Sequence, residues 1–225
     1  QAKKVLTTVI VATDDQRIFD SVKSFGGEVV MTSPNHTCGT DRVYEAYQIY
    51  TAQQQNNSEL LNHNDTVVVN IQGDEPFIQP EQIQALMDCF PTDIATLAKP
   101  YTEQDDLQEL LTPNIVKVVF SQQTGEALYF SRSVIPYLRG VEQSEWLSKG
   151  QYFSHIGLYA YRADVLLRIT QMPQTPLEKA ESLEQLRWLE NGLKIKVAVS
   201  NTKSIGIDTP EDLQQAIEYL QHNNL

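Results

Sequence analysis

The sequence predicts an α/β fold with a mostly parallel central sheet, on three observations. Short β-branched runs alternate with helical stretches along the whole chain, the pattern that stacks helices on a parallel sheet. Thr66 to Ile71 is an almost uninterrupted apolar run, suited to a strand buried on both faces. No internal repeat is visible, and 225 residues suffice for one large domain or one domain with a subsidiary lobe.

The elements follow in order. Thr7 to Ala12 reads as a strand, and Asp14-Asp15 open a helix that ends at Phe25, with Gly26-Gly27 placed where a helix terminates. Glu28 to Thr32 is the next strand. Val43, Ala46, Tyr47 and Tyr50 recur at helical spacing, and a Gln/Asn-rich linker runs from there to Asp65. After Thr66 to Ile71, Pro80 starts a helix; Ile94 to Ala98, Ile115 to Phe120 and Ala127 to Ser131 are strands, with a short helix over Glu103 to Leu111. Gln143 to Gly150 is irregular and falls in a subsidiary lobe spanning about 127–175. Tyr152 to Tyr161 reads as a strand, Asp164 to Ile169 as a helical turn or two, and Pro176 to Asn191 as one continuous helix. Lys194 to Ser200 is the last strand, followed by the turn Ile205-Gly206-Ile207-Asp208 and a helix from Pro210 to His222.

Composition excludes several classes. With a net charge of -12 and no basic stripe, the chain lacks the footprint of a nucleic-acid binder. It is therefore expected to take small molecules, with no membrane insertion, since no apolar run approaches the ~20 residues a span needs. Cys38 and Cys89 show no metal-ligand spacing, which points to a reducing, cytoplasmic setting. Neither the Gly-x-Gly-x-x-Gly fingerprint nor a P-loop is present, nor is a Gly-x-Ser-x-Gly elbow. The chemistry that remains is centred on carboxylates.

Asp74 follows the Thr66 to Ile71 strand in Gln72-Gly73-Asp74-Glu75-Pro76, and Asp208 follows the last strand. Ligands of open α/β sheets bind beyond strand carboxyl ends, and two carboxylates there suit Mg²⁺ and a nucleotide's phosphates. The plain alternatives are an Asp-Gly turn for Asp74 and a helix start for Asp208, where Thr209 would cap and Pro210 would occupy the first position. The loop His36 to Arg42 places Gly39 and Thr40 before a helix with Arg42 in its first turns, fit either for a ligand near free N–H groups or for ordinary capping. His155 alternates with apolar neighbours in a strand and reads as a structural residue or a site residue. Glu178, Glu181 and Gln185 share one helical face, with Glu184 adjacent, either solvated or facing sugar hydroxyls. Arg132 after a strand is either a surface residue or a bidentate partner for a substrate carboxylate.

Together, Val11-Ala12-Thr13-Asp14-Asp15, Gly39-Thr40-Asp41-Arg42, Asn70 to Pro76, Leu128 to Arg132, His155 to Tyr159, Leu183 to Arg187 and Gly206 to Asp212 resemble the CMP-Kdo synthetases, the 3-deoxy-manno-octulosonate cytidylyltransferases. The resemblance covers nearly the whole chain. It implies a Rossmann-like nucleotidyltransferase fold with a smaller dimerisation and sugar-binding lobe, a homodimer, Mg²⁺, and transfer of CMP from CTP to Kdo with release of pyrophosphate. It also implies Asp74 and Asp208 as metal ligands, Thr40 and Arg42 in the nucleotide pocket, and Gln72, Arg132, His155, Glu184 and Gln185 on the sugar side. Its nearest alternatives are a synthetase for another acidic sugar, such as a sialic acid, and a noncatalytic nucleotide-sugar binding protein. The family normally opens with a strand and a basic loop, Pro-Ala-Arg-x-x-Ser-x-Arg-x-Pro-Gly-Lys, that grips the triphosphate. The sequence beginning Gln1-Ala2 shows neither, so the domain is expected to lack both, and Cys38 stands where Ser is common.

Overall fold

The computed structural model describes residues 1–54, 66–75, 77–202, 207, 214, 217 and 218. The final turn and most of the last helix expected from sequence, Asp208 included, lie outside the described residues, as does the linker after Gln54.

Among the described residues the strands form two sheets. β1 (Ile10–Thr13) and β2 (Glu28–Met31) pair in parallel, joined by α1 (Gln16–Ser24). Asp15 caps α1 by accepting from the Arg17 N–H at 2.8 Å, and Gly26 turns the chain at φ 75° just beyond it. The long helix α2 (Gly39–Gln54) then leads towards β3 (Val67–Asn70).

The larger sheet is mixed, which corrects the expectation of a mostly parallel one. β7 (Phe153–Arg162) runs antiparallel to β3, to β4 (Ile94–Pro100) and to β5 (Lys117–Phe120), whereas β4 pairs in parallel with β8 (Ile195–Val199). The physical reason is in the connections. β5 and β6 (Ala127–Ser131) form a further antiparallel pair, joined by the short loop 121–126, whereas a parallel pair cannot be closed without a long crossover. The doubly buried strand is β4: Ile94, Ala95, Leu97 and Ala98 are all fully buried and alternate between the two faces of the sheet. β3, given that role by its β-branched run, pairs only with β7 among the described strands, and its three valines are half-buried.

One sheet face is covered by α3 (Pro80–Met87) through Ile83 and Leu86. The other packs on α6 (Ala163–Thr170) and α8 (Glu184–Glu190), where Trp188 meets Tyr159 and Tyr161 edge-on. At the far end the sheet curls on itself. Glu126 bridges Lys196 of β8, the Val197 N–H donates to Gly125 O at 2.8 Å, and Gly125 at φ 69° makes the turn. A smaller core of Leu110, Trp146 and Tyr152 joins α4 (Leu107–Leu111) to α5 (Trp146–Lys149), so the stretch read as irregular carries a short helix.

The helix expected over Pro176 to Asn191 is two helices. Ser182 adopts the left-handed conformation at φ 52°, ending α7 (Pro176–Glu181) before α8 begins. Glu178 and Gln185 therefore do not share a helical face. Lys117 is buried at the start of β5, its ammonium donating to the carbonyls of Thr112 and Ile115 at 2.8 and 2.6 Å, and desolvation lowers its pKa. Lys117→Met is expected to cost about 1–3 kcal/mol, because it leaves those acceptors unpaired; urea unfolding checks this.

Candidate active site

The carboxyl end of β3 and the amino end of α2 meet. A Cβ on Gly39 would lie 3.6 Å from Asn70 Nδ2, so the first residue of α2 rests against the last of β3. Beyond Asn70 the chain turns through Gln72, with the Glu75 N–H bonded to Gln72 O at 3.2 Å. The Asp74 side chain is exposed, and its backbone carbonyl accepts from Ile207 N–H at 2.8 Å. That bond brings the residue just before Asp208 to Asp74, although Asp208 itself lies outside the described residues. Gln72 reaches towards β7, its Nε2 3.8 Å from where a Cβ on Gly157 would stand.

Thr40 is buried and does not cap its own helix. Its hydroxyl donates to Glu184 Oε2 at 2.8 Å, tying α2 to α8. Arg187 donates to Glu184 Oε1 at 2.8 Å and to Met172 O at 2.9 Å, and its Nε lies 3.2 Å from Glu178 Oε2. Desolvation raises the Glu184 pKa, while Thr40 and Arg187 pull it back. Gln174, Glu178, Lys179, Ser182 and Glu184 line a cavity of about 410 Å³ beside this network. Gln185 stands in the first turn of α8 and is only 6% exposed.

Two arginines hold protein groups. Arg42 donates to the Thr32 hydroxyl at 2.7 Å and to Asp14 Oδ2 at 2.9 Å, joining the ends of β2 and β1 to α2. Arg132, expected either at the surface or on a substrate carboxylate, is half-buried and closes the end of α7. Its guanidinium donates to the carbonyls of Glu181, Pro113 and Ser182 at 2.7, 3.1 and 3.4 Å, and Glu181 in return accepts from the Ser131 hydroxyl and the Arg132 N–H.

His155 is half-buried between the rings of Phe130 and Tyr159. Its Nε2 is 2.9 Å from the Thr96 hydroxyl, and desolvation pushes its pKa down to about 3, so it is neutral at physiological pH. Sequence reasoning passed over two residues that matter here. Arg187 had a signal, standing three residues after Glu184 on one helix; Thr96 had none, since Thr in an apolar run reads only as strand propensity.

The cytidylyltransferase family model matches residues 1–195. The 3-deoxy-manno-octulosonate cytidylyltransferase of Parabacteroides distasonis is 56% identical over 98% of this chain and 84% of its own length. The chain belongs to the 3-deoxy-manno-octulosonate cytidylyltransferase family. Another member of that family, from Bacteroides thetaiotaomicron, is 51% identical over 100% of this chain and 86% of its own length. A solved structure of CMP:2-keto-3-deoxy-manno-octonic acid synthetase complexed with CTP superposes with a TM-score of 0.80 at 35% identity, covering 98% of this chain and 83% of that one. A 4-diphosphocytidyl-2C-methyl-D-erythritol synthase from Anaerococcus prevotii, at 14% identity and TM-score 0.54, shares the fold alone. The α/β nucleotidyltransferase fold of the 3-deoxy-manno-octulosonate cytidylyltransferases thus accommodates the mixed sheet described above.

Proposed function

We propose that the region where the amino end of α2 meets the carboxyl end of β3 couples CTP and Kdo to give CMP-Kdo and pyrophosphate, activating the sugar for lipopolysaccharide synthesis. The 56% identity over 98% of the chain to a 3-deoxy-manno-octulosonate cytidylyltransferase carries this reading. The anomeric hydroxyl of Kdo forms the new bond to the α-phosphorus, the bond to pyrophosphate breaks, and the hydroxyl proton leaves. No covalent enzyme intermediate is needed; positioning and electrostatics supply the acceleration.

Asp74 is an exposed carboxylate at a strand's carboxyl end, a hard oxygen donor of the kind Mg²⁺ takes, and Asp208 follows the residue bonded to it. These two residues would hold the ion, which when bound neutralises phosphate charge and acidifies the attacking hydroxyl. Thr40 and Arg42 hold the start of α2 in place for the nucleotide. Gln72 and His155 face the sugar with Glu184 and Gln185, while Arg132 fixes the α7–α8 turn from which those two project. We place the homodimer contact on the outer part of the 127–175 segment, where Leu128 and Tyr137 are 65% and 72% exposed, because its β7 and α6 belong to the main sheet and its cover. No helix among the described residues is long and apolar enough to cross a membrane, and both cysteines are free; a cytoplasmic site of action suits both observations.

Pyrophosphate release decides the substrate. The expected result is Mg²⁺-dependent release with CTP and Kdo and none with CTP and a sialic acid; release with the sialic acid alone would overturn the assignment.

A further inference from the structure

Thr96 sits in the middle of β4 with its side chain wholly buried, at the point where pairing with β7 shifts. Thr96 pairs with Tyr159 and Leu97 with Ile156, so Gly157 and Leu158 bulge out of the ladder. A bulge leaves backbone groups without their ladder partners. The Thr96 hydroxyl fills this one, lying 3.0 Å from Leu158 O, 3.2 Å from Ile156 O and 2.9 Å from His155 Nε2.

A hydroxyl has one proton to give and two lone pairs to receive with. Neither carbonyl can donate; with the Thr96 proton directed to them, Nε2 donates to the hydroxyl oxygen, whose second lone pair is left for the neighbouring Tyr159 hydroxyl. In the opposite assignment the lone pairs of the hydroxyl oxygen would face both carbonyl oxygens at 3.0 and 3.2 Å, a repulsive arrangement with no proton between them. We infer that Thr96 is a positioning residue that locks His155 in its Nε2–H tautomer, leaving Nδ1 as a hydrogen-bond acceptor for a hydroxyl of the bound polyhydroxy acid.

Three further observations support this. The ring is held in orientation by Phe130 and Tyr159, with centroids 5.1 and 5.4 Å away. Nδ1 has no protein partner among the described residues, which leaves its lone pair for a ligand. Protonation does not remove that lone pair at neutral pH, because desolvation keeps the imidazole neutral. A hydroxyl-rich substrate supplies the donor that Nδ1 lacks.

The ligand half of the inference rests on the assignment of His155 to the sugar side, whereas the tautomer does not, so the two are tested separately. Long-range ¹H–¹⁵N correlation spectra of the ligand-free protein, with the His155 signals assigned by their loss in His155→Gln, report the tautomer directly. The expected pattern is a protonated Nε2 and an unprotonated Nδ1, retained in Thr96→Ser and lost in Thr96→Val. A protonated Nδ1 in the wild type, or an unchanged pattern in Thr96→Val, would overturn the lock. The wild-type spectrum decides this even if Thr96→Val does not fold. In kinetics, Thr96→Val is expected to raise KM for Kdo by about tenfold, one misplaced hydrogen bond, with KM for CTP little changed and Thr96→Ser restoring the value. A confirmed tautomer with an unchanged Kdo KM would overturn the ligand half alone.

Discussion

Asp74→Asn is expected to lower kcat by about a thousandfold or more, with the melting temperature unchanged. The two halves of that expectation have separate grounds. Asp74 is exposed, and its carboxylate has no hydrogen-bond or ion-pair partner among the described residues, so an isosteric change there is expected to leave the melt unchanged. Its backbone is tied down: the turn closes through Glu75 N–H to Gln72 O, and Asp74 O receives Ile207 N–H. On the proposed function, an exposed carboxylate on a pinned backbone at a strand's carboxyl end is placed to meet the ion and the phosphates. Asn keeps the shape and removes the charge, so it isolates the electrostatic part of the proposed role. Steady-state pyrophosphate release across Mg²⁺ concentrations checks it, together with a thermal melt. Activity within about tenfold of wild type at saturating Mg²⁺ would remove Asp74 from the metal site, because losing a charged ligand costs more than that. Asp208→Asn is the companion variant, and equal losses in the two would place both residues in one function.

How much of this was legible beforehand depended on whether local or tertiary constraints decided the outcome. The strands, the capped start of α1 and the Gly26 terminator were readable because their signals are local: β-branched runs, an Asp before a helix, a Gly at positive φ. The direction of β7 was not, since a period-2 pattern is the same for parallel and antiparallel pairing. Nor was the break at Ser182. Nothing in Glu181-Ser182-Leu183 marks a stop, and the turn is held from outside by Arg132, 50 residues earlier in the chain, donating to its carbonyls. The same distinction runs through the site. The turn that carries Asp74 was readable because Gly-Asp after a strand is a local pattern. The commitments of Thr40 to Glu184 and of Arg42 to Asp14 and Thr32 were not, because they join segments distant in sequence.

Arg187→Met should produce the largest loss of stability among these variants, about 3–5 kcal/mol, the range for breaking a buried charge pair by removing one partner. Arg187 is only 11% exposed and faces Glu178 and Glu184, themselves 6% and 25% exposed. Met fills comparable volume, so the cost is electrostatic: two carboxylates lose their cation, and Met172 O loses its donor. For a chain of this size the melting temperature should fall by roughly 10 °C. The pH dependence gives a sharper check. Desolvation already holds the Glu184 pKa above its ordinary value, and removing the arginine raises it further. A folded-state carboxyl pKa raised above the unfolded one means that the folded protein takes up the extra proton. Its stabilising effect is therefore complete below the unfolded value and is lost as pH rises through the folded one. The deficit of Arg187→Met should accordingly be larger at pH 7 than at pH 5, and adding Glu184→Gln should recover part of it at pH 7. Arg187→Lys should fall between, keeping the charge but not the fork that serves Glu184, Glu178 and Met172 together. A deficit independent of pH would show that packing, not charge, is what Arg187 contributes. In that case the link from Thr40 through Glu184 to α7 would be steric, and Thr40→Val, which preserves shape, should leave the position of α2 and the KM for CTP unchanged.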